Sequence, residues 1–380
     1  MPTMPPLPAL LLIAALLAPA PAGAADGERA HWRAAAEMAE TSLRQHFWDP
    51  AAHLLHNRAD RAGDSDKQFN YWWQAHGLLA MAAALTRGST VWTAADLGAF
   101  RDALFARNGR HWTNDYYDDE GWMACAMLAA GAATADAAYH AVARLLWDDI
   151  RVAWNDSCGG GIPWRKTQRD YKNAPANGPA MVIGATLYQA DRTGDDLAQA
   201  VRIDDWLMKT LRDPKDGMIW DGINRTGKGD IDRNWRFTYV QGIVIGGCLA
   251  LHRATHEARY LADAERIGSA ALDAFFSGAG GLCTDKGGNG DGGLFKGILV
   301  QYLAQLAEAS PVMAARIRAA LAANGRRLGQ LQAEHADALL PATWNEGSAP
   351  ADLELSVELS GVLLDEALAE LALKAPAPAK

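Results

Sequence analysis

Tyr116-Tyr117-Asp118-Asp119-Glu120-Gly121-Trp122-Met123 runs straight into the apolar segment 124–131, and this junction decides how the chain is read. Three acids, a glycine, a tryptophan and an unbroken apolar run open a helix that is hydrophobic on every side. Such a helix is buried. Acids at the start of a buried helix are costly unless that end is wet or functional. The N-terminus softens the cost, because its free N–H groups and dipole favour negative charge. An acidic cap is the plain reading. The aromatic flanks and the glycine behind the acids describe a pocket floor instead.

Outward from this helix, period-3.6 apolar patterning dominates and strand alternation is scarce. The pattern predicts twelve helices, near 27–47, 70–87, 94–108, 116–131, 134–154, 176–193, 195–213, 237–255, 258–276, 292–308, 311–331 and 352–374. Long connections rich in Gly, Asp, Asn and Trp enter the even-numbered helices, and short ones such as 88–93 leave them. If neighbouring helices are antiparallel, every long loop falls on one end of the molecule. The even helices are apolar nearly all round, whereas 137–150 and 198–211 carry a charged face. Gly77, Gly121, Gly242, Gly297 and Gly361 recur near the first turns of the even helices, at a cost in helix stability that implies close approach of a neighbour or ligand. One outer and one inner helix, repeated six times, make an all-α (α/α)6 barrel in a single domain. Asp118 and Asp119 then face the mouth of its central cavity.

At the chain ends, the apolar run 7–17 is too short to span a bilayer and is followed by Ala22-Gly23-Ala24, an A-x-A cleavage pattern. Residues 1–24 therefore read as a signal peptide, 25–374 as the catalytic domain and 375–380 as a disordered tail. The mature protein is expected to be a secreted or periplasmic monomer, with no membrane association after cleavage. Its net charge of −9 excludes nucleic acid and anionic membrane as natural partners. Fourteen tryptophans are more than the core of such a chain needs, and surplus aromatics suit a site that stacks on sugar rings. Cys125 and Cys248 sit in apolar helical runs; Cys158 and Cys283 lie in glycine-rich loops, where pairing is left open.

Two carboxyls in a cleft, with no metal or nucleotide motif around them, suit glycoside hydrolysis. One ionised carboxylate attacks or stabilises the anomeric carbon while a protonated partner gives its proton to the leaving oxygen. Proximity and burial supply the asymmetry by raising the pKa of one of the two. Bending at a helix start can bring adjacent carboxyls within about 5 Å, the separation of retaining enzymes. No cofactor and no metal are expected. The cysteines and histidines show no zinc grouping, Asp285, Asn289 and Asp291 miss the spacing of a calcium loop, and Thr226-Gly227-Lys228-Gly229 lacks the upstream glycine of a phosphate-binding loop.

The quoted stretch resembles the Tyr-Tyr-Asp-Asp-x-x-Trp signature of glycoside hydrolase family 76, the endo-α-1,6-mannanases. The resemblance continues in order through Gly160-Gly161-Ile162-Pro163-Trp164, Asn173-Ala174-Pro175-Ala176-Asn177-Gly178-Pro179, Thr238-Tyr239-Val240-Gln241-Gly242 and Phe295-Lys296-Gly297-Ile298. It implies an (α/α)6 barrel, an α-mannan or manno-oligosaccharide substrate, Asp118 as nucleophile and Asp119 as general acid/base. Val240 departs from the family's usual asparagine, and a lost amide there is expected to alter a sugar contact. A transglycosylase using the same two aspartates, or a catalytically silent mannan-binding protein on the same barrel, are the rival readings.

Around the pair, Tyr117, Trp73, Trp164, Asn173, Asn177, Tyr239, Gln241 and Lys296 are the candidate substrate-binding residues. Trp164 and one of the Trp72/Trp73 pair could stack on mannose or pack in the core. Asn173 and Asn177 could bind hydroxyls or cap a helix. Gln241 is expected to touch substrate, because an amide on so apolar a helix needs a partner. Lys296 could hold a hydroxyl or lie along the surface. Glu120 should point away from the cavity if Asp119 points in.

Overall fold

The computed structural model describes residues 22–61, 68–192, 194–334, 339–345 and 354–374. Among them are twelve α-helices: α1 (Ala22–Phe47), α2 (Tyr71–Arg87), α3 (Ala94–Arg107), α4 (Tyr117–Thr134), α5 (Ala137–Arg151), α6 (Ala174–Asp191), α7 (Asp196–Thr210), α8 (Thr238–Thr255), α9 (Ala258–Phe275), α10 (Gly292–Ala309), α11 (Pro311–Ala333) and α12 (Leu355–Leu373). Their bounds stay close to the periodicity, because local chemistry marks them. Thr93 and Asp96 form a reciprocal capping box on α3, Ser310 caps α11 just before Pro311, and Gly88 closes α2 in the left-handed region. The first 21 residues of the expected leader and the expected tail at 375–380 lie outside the described residues.

The even-numbered helices pack side by side in a ring that closes where α12 meets α2, and the odd-numbered helices lie outside it. This is the (α/α)6 barrel. The ring is tight because glycines let backbones approach. A Cβ on Gly242 would sit 2.8 Å from Leu299 Cα of α10, and one on Gly297 would sit 2.5 Å from Ser360 Cα of α12. No described helix is long and apolar enough to cross a membrane.

All the long connections enter inner helices, so they gather at one end. Five of them, those entering α2, α4, α6, α8 and α12, are tied down by a side chain from the helix they feed. The fourth residue of α2, Gln74, accepts from Leu55 N at 3.1 Å and donates to Leu55 O at 2.8 Å. Asn177 of α6 clasps Ile162 in the same way, at 2.8 and 2.9 Å, and Gln241 of α8 clasps Ile219 at 2.8 Å both ways. Glu120 of α4 accepts from Asn114 N at 2.7 Å, and Glu358 of α12 from Leu340 N at 2.9 Å. A buried amide or carboxyl must be satisfied, and the loop backbone needs a partner too. One side chain meets both needs.

Short strands, absent from the sequence reading, tie the loops together. β1 (Trp48–Asp49) pairs with β2 (Leu54–Leu55) in the loop before α2. β3 (Pro163–Arg165), β4 (Gln168–Asn173) and β5 (Gly222–Ile223) form an antiparallel sheet in that order. Tyr116 bridges to Arg165, so this sheet joins the loops entering α4, α6 and α8. It sets Trp164 over the start of α4.

Candidate active site

Tyr116 holds an extended backbone and α4 begins at Tyr117, which puts Asp118 and Asp119 in the first helical turn, where the dipole favours a negative charge. Both carboxyls are half-buried and line a cleft of about 310 Å³ at the loop end of the barrel. The cleft is walled by rings: Trp72 from α2, Tyr116 and Trp122 around α4, Trp164 from β3, Tyr239 from α8 and Phe295 from α10, with Asn70 and Asp291 at its edge. Larger hollows lie beside Trp220 and at the far end of α2, α4, α10 and α12. Neither sets paired carboxyls against stacking faces.

The two aspartates sit in different fields. Asp118 Oδ2 accepts from the indole N–H of Trp164 at 3.0 Å, and Oδ1 accepts from the backbone N–H of Asp119 at 3.1 Å. Burial pushes Asp118 up to about 7, those two donors hold it back, and the carboxylate of Asp221 pushes it further up. Asp119 is driven well above the ordinary aspartate range by burial, then by Asp118, Asp291 and Glu120. The pair therefore titrates as a coupled unit, with Asp118 the better-stabilised anion and Asp119 the better proton holder.

Asp221 was not legible from the sequence. It is buried beside β5, accepts from the Tyr171 hydroxyl at 2.8 Å, and is pushed up to about 6 by burial. Asp291 was considered only within a calcium loop whose spacing fails. Its Oδ1 accepts from the indoles of both Trp72 and Trp73 at 3.1 Å. Phe295 was quoted within a motif but given no role; it stacks on Tyr239 with centroids 4.0 Å apart.

Of the sequence candidates, Asp118, Asp119, Trp164 and Tyr239 come together on the cleft wall, and six do not. Trp73 is buried behind Trp72, which takes the wall position. Tyr117 is buried on the outer side, with the Lys166 ammonium over its ring at 5.5 Å, and Tyr116 faces the cleft in its place. Asn173 caps α6, accepting from Ala176 N at 3.2 Å. Asn177 and Gln241 are fully buried, their amides taken up by the loop clasps. Gln241 did need a partner, but its partner is the backbone of its own loop.

Lys296 is also fully buried, neither at the cleft nor on the surface. Its Nζ lies beneath Gly287 of the preceding loop and 5.2 Å from the centre of the Trp344 ring. Val240 is fully buried away from the cleft lining, so the departure at that position does not change the wall. Glu120 points away from the cavity, as expected, and accepts from Lys166 Nζ at 2.9 Å. All four cysteines are free thiols. Among the described residues no group of three or more His, Cys, Asp or Glu could hold a metal ion.

Comparison with known proteins accords with this geometry. The chain is 33% identical to the GH76A alpha-1,6-mannanase of Salegentibacter sp. HEL1_6, with a TM-score of 0.82 over 90% of this chain and 99% of that one. An inactive variant of that enzyme, with two consecutive aspartates replaced by alanine, has been solved in complex with alpha-1,6-mannotetrose. The Lin0763 protein of Listeria innocua is also 33% identical, with a TM-score of 0.81 over 90% of this chain and 98% of that one. Mannan endo-1,6-alpha-mannosidase DCW1 of Candida albicans is 25% identical over 213 residues, 50% of this chain and 46% of the relative, so the match spans under half of that curated protein. The sequence model of glycosyl hydrolase family 76 matches residues 31–376, and the chain belongs to that family.

Proposed function

We propose that this protein is an exported, retaining endo-α-1,6-mannanase that works through Asp118 and Asp119. The observation that carries the reading is the unequal environment of two adjacent carboxyls in one aromatic cleft. Asp118, whose ionised form is favoured by the donors Trp164 and the Asp119 N–H, attacks the anomeric carbon. Asp119, which keeps its proton, gives it to the departing glycosidic oxygen. A covalent glycosyl-enzyme forms, and Asp119, now ionised, takes a proton from the water that hydrolyses it. The apolar faces of Trp72, Tyr239 and Phe295 suit the C–H faces of neutral hexose rings. The likeness to the Salegentibacter α-1,6-mannanase supports the choice of linkage. The A-x-A pattern at Ala22-Gly23-Ala24 supports export.

Digestion of unbranched α-1,6-mannan, with products sized over time, tests the reading. Internal cleavage gives a spread of short oligosaccharides early, with α-mannose as the first anomer by NMR. Absence of new reducing ends would sink the hydrolase reading, and a first β anomer would overturn retention.

A further inference from the structure

The cleft wall continues outward as a line of rings. Phe237 lies 6.0 Å from Tyr239 and 5.4 Å from Phe295, centre to centre, and Trp235 lies 5.7 Å beyond Phe237. Phe237, Tyr239 and Phe295 are half-buried, but Trp235 is 38% exposed, the one aromatic among the large hydrophobic side chains that reach solvent in the described residues. A single exposed apolar side chain needs no explanation on its own. This one is built in. Asp221 N donates to Trp235 O at 2.8 Å and Trp235 N donates to Asp232 O at 2.9 Å, which fixes the backbone. Arg225, tied to Asp232 at 3.0 Å, lies over the indole with its guanidinium carbon 4.1 Å from the ring centre. The guanidinium lies over the indole, and the side chain still reaches solvent, two ring contacts from the wall that holds Asp118 and Asp119.

We infer that Trp235 is a distal platform on which one further neutral sugar ring of the glycan stacks, so that the enzyme reads chain length beyond the reacting residues. A hexose presents an apolar C–H face that matches an indole, and the charge of Arg225, which lies over this ring, is already taken up by Asp232. The inference rests on the mannan-cleaving reading above.

The test compares kcat/KM on α-1,6-manno-oligosaccharides of increasing length for the wild type and for Trp235→Ala. The ratio of long-substrate to short-substrate kcat/KM should fall about tenfold in the variant, the worth of one stacking contact. Trp235→Leu, which keeps apolar bulk against Phe237 but loses the flat face, should show the same fall, and it serves if the alanine form does not fold. A wild type that cleaves these substrates, with an unchanged ratio in the folded variants, overturns the platform alone. A wild type that cleaves none of them overturns the mannanase reading and this inference together.

Discussion

Trp164 reaches across from β3 to place its indole N–H 3.0 Å from Asp118 Oδ2, so a residue of the sheet stabilises the charge on a residue of the barrel. This donor favours the ionised form of Asp118. Replacing Trp164 by Phe keeps a ring and removes the donor, so the Asp118 pKa should rise above about 7. The acidic limb of the pH–kcat/KM profile should move to higher pH. Activity at pH 6 should drop roughly 10- to 100-fold, with a smaller loss at pH 8. An unshifted limb would detach Trp164 from the nucleophile.

The two acids should fail differently. Asp118→Asn should lower kcat by about three orders of magnitude or more on every substrate, since no other group can form the covalent intermediate. Asp119→Asn should cripple hydrolysis of mannan far more than hydrolysis of an aryl mannoside whose leaving group needs little protonation. Equal losses on both substrates for Asp119→Asn would move the acid role elsewhere.

Keeping these carboxyls together costs stability, and the sign of the pH dependence follows. Both hold their protons more tightly in the folded chain than an ordinary aspartate does. As pH rises from the ordinary aspartate range through about 7, the unfolded chain releases these protons more readily, and folding stability is lost. Asp119→Asn, which mimics the neutral acid, should therefore melt a few degrees above the wild type at pH 7. The gap should narrow toward pH 4. A gap that does not change with pH would mean that the carboxyl is not held protonated.

The Gln241 clasp on Ile219 can be tested through stability. In Gln241→Leu the Ile219 N–H and C=O lose their partner in a buried place. The cost should be roughly 2–4 kcal/mol, seen as a fall in Tm on the order of 5 °C. If Gln241 served substrate instead, Tm would hold and KM would rise.

The barrel was readable because its evidence is periodic. Inner helices apolar all round, outer helices with a charged face, and long loops alternating with short ones all survive in a single sequence. The sheet was not readable, since β5 spans only two residues and no alternation shows over that length. At the site, Asp118, Asp119, Trp164 and Tyr239 stood out by type and motif. Choosing between Trp72 and Trp73, or Tyr116 and Tyr117, depends on where α2 and α4 start, which periodicity leaves uncertain by a residue or two. Asn177 and Gln241 were read one at a time as substrate contacts. Read together with Gln74, Glu120 and Glu358, they share the fourth position of their helices, a spacing that marks a structural repeat more than a sugar contact.

That shared position bears on how such a barrel can diversify. The long loops entering α2, α4, α6, α8 and α12 are each moored to the helix they feed, by a bond that does not pass through a neighbouring loop. A tip can be lengthened, trimmed or exchanged while its anchorage stays put, so ligand preference and scaffold durability become separately heritable traits. For protein engineering, the graft points are the residues just beyond Leu55, Asn114, Ile162, Ile219 and Leu340.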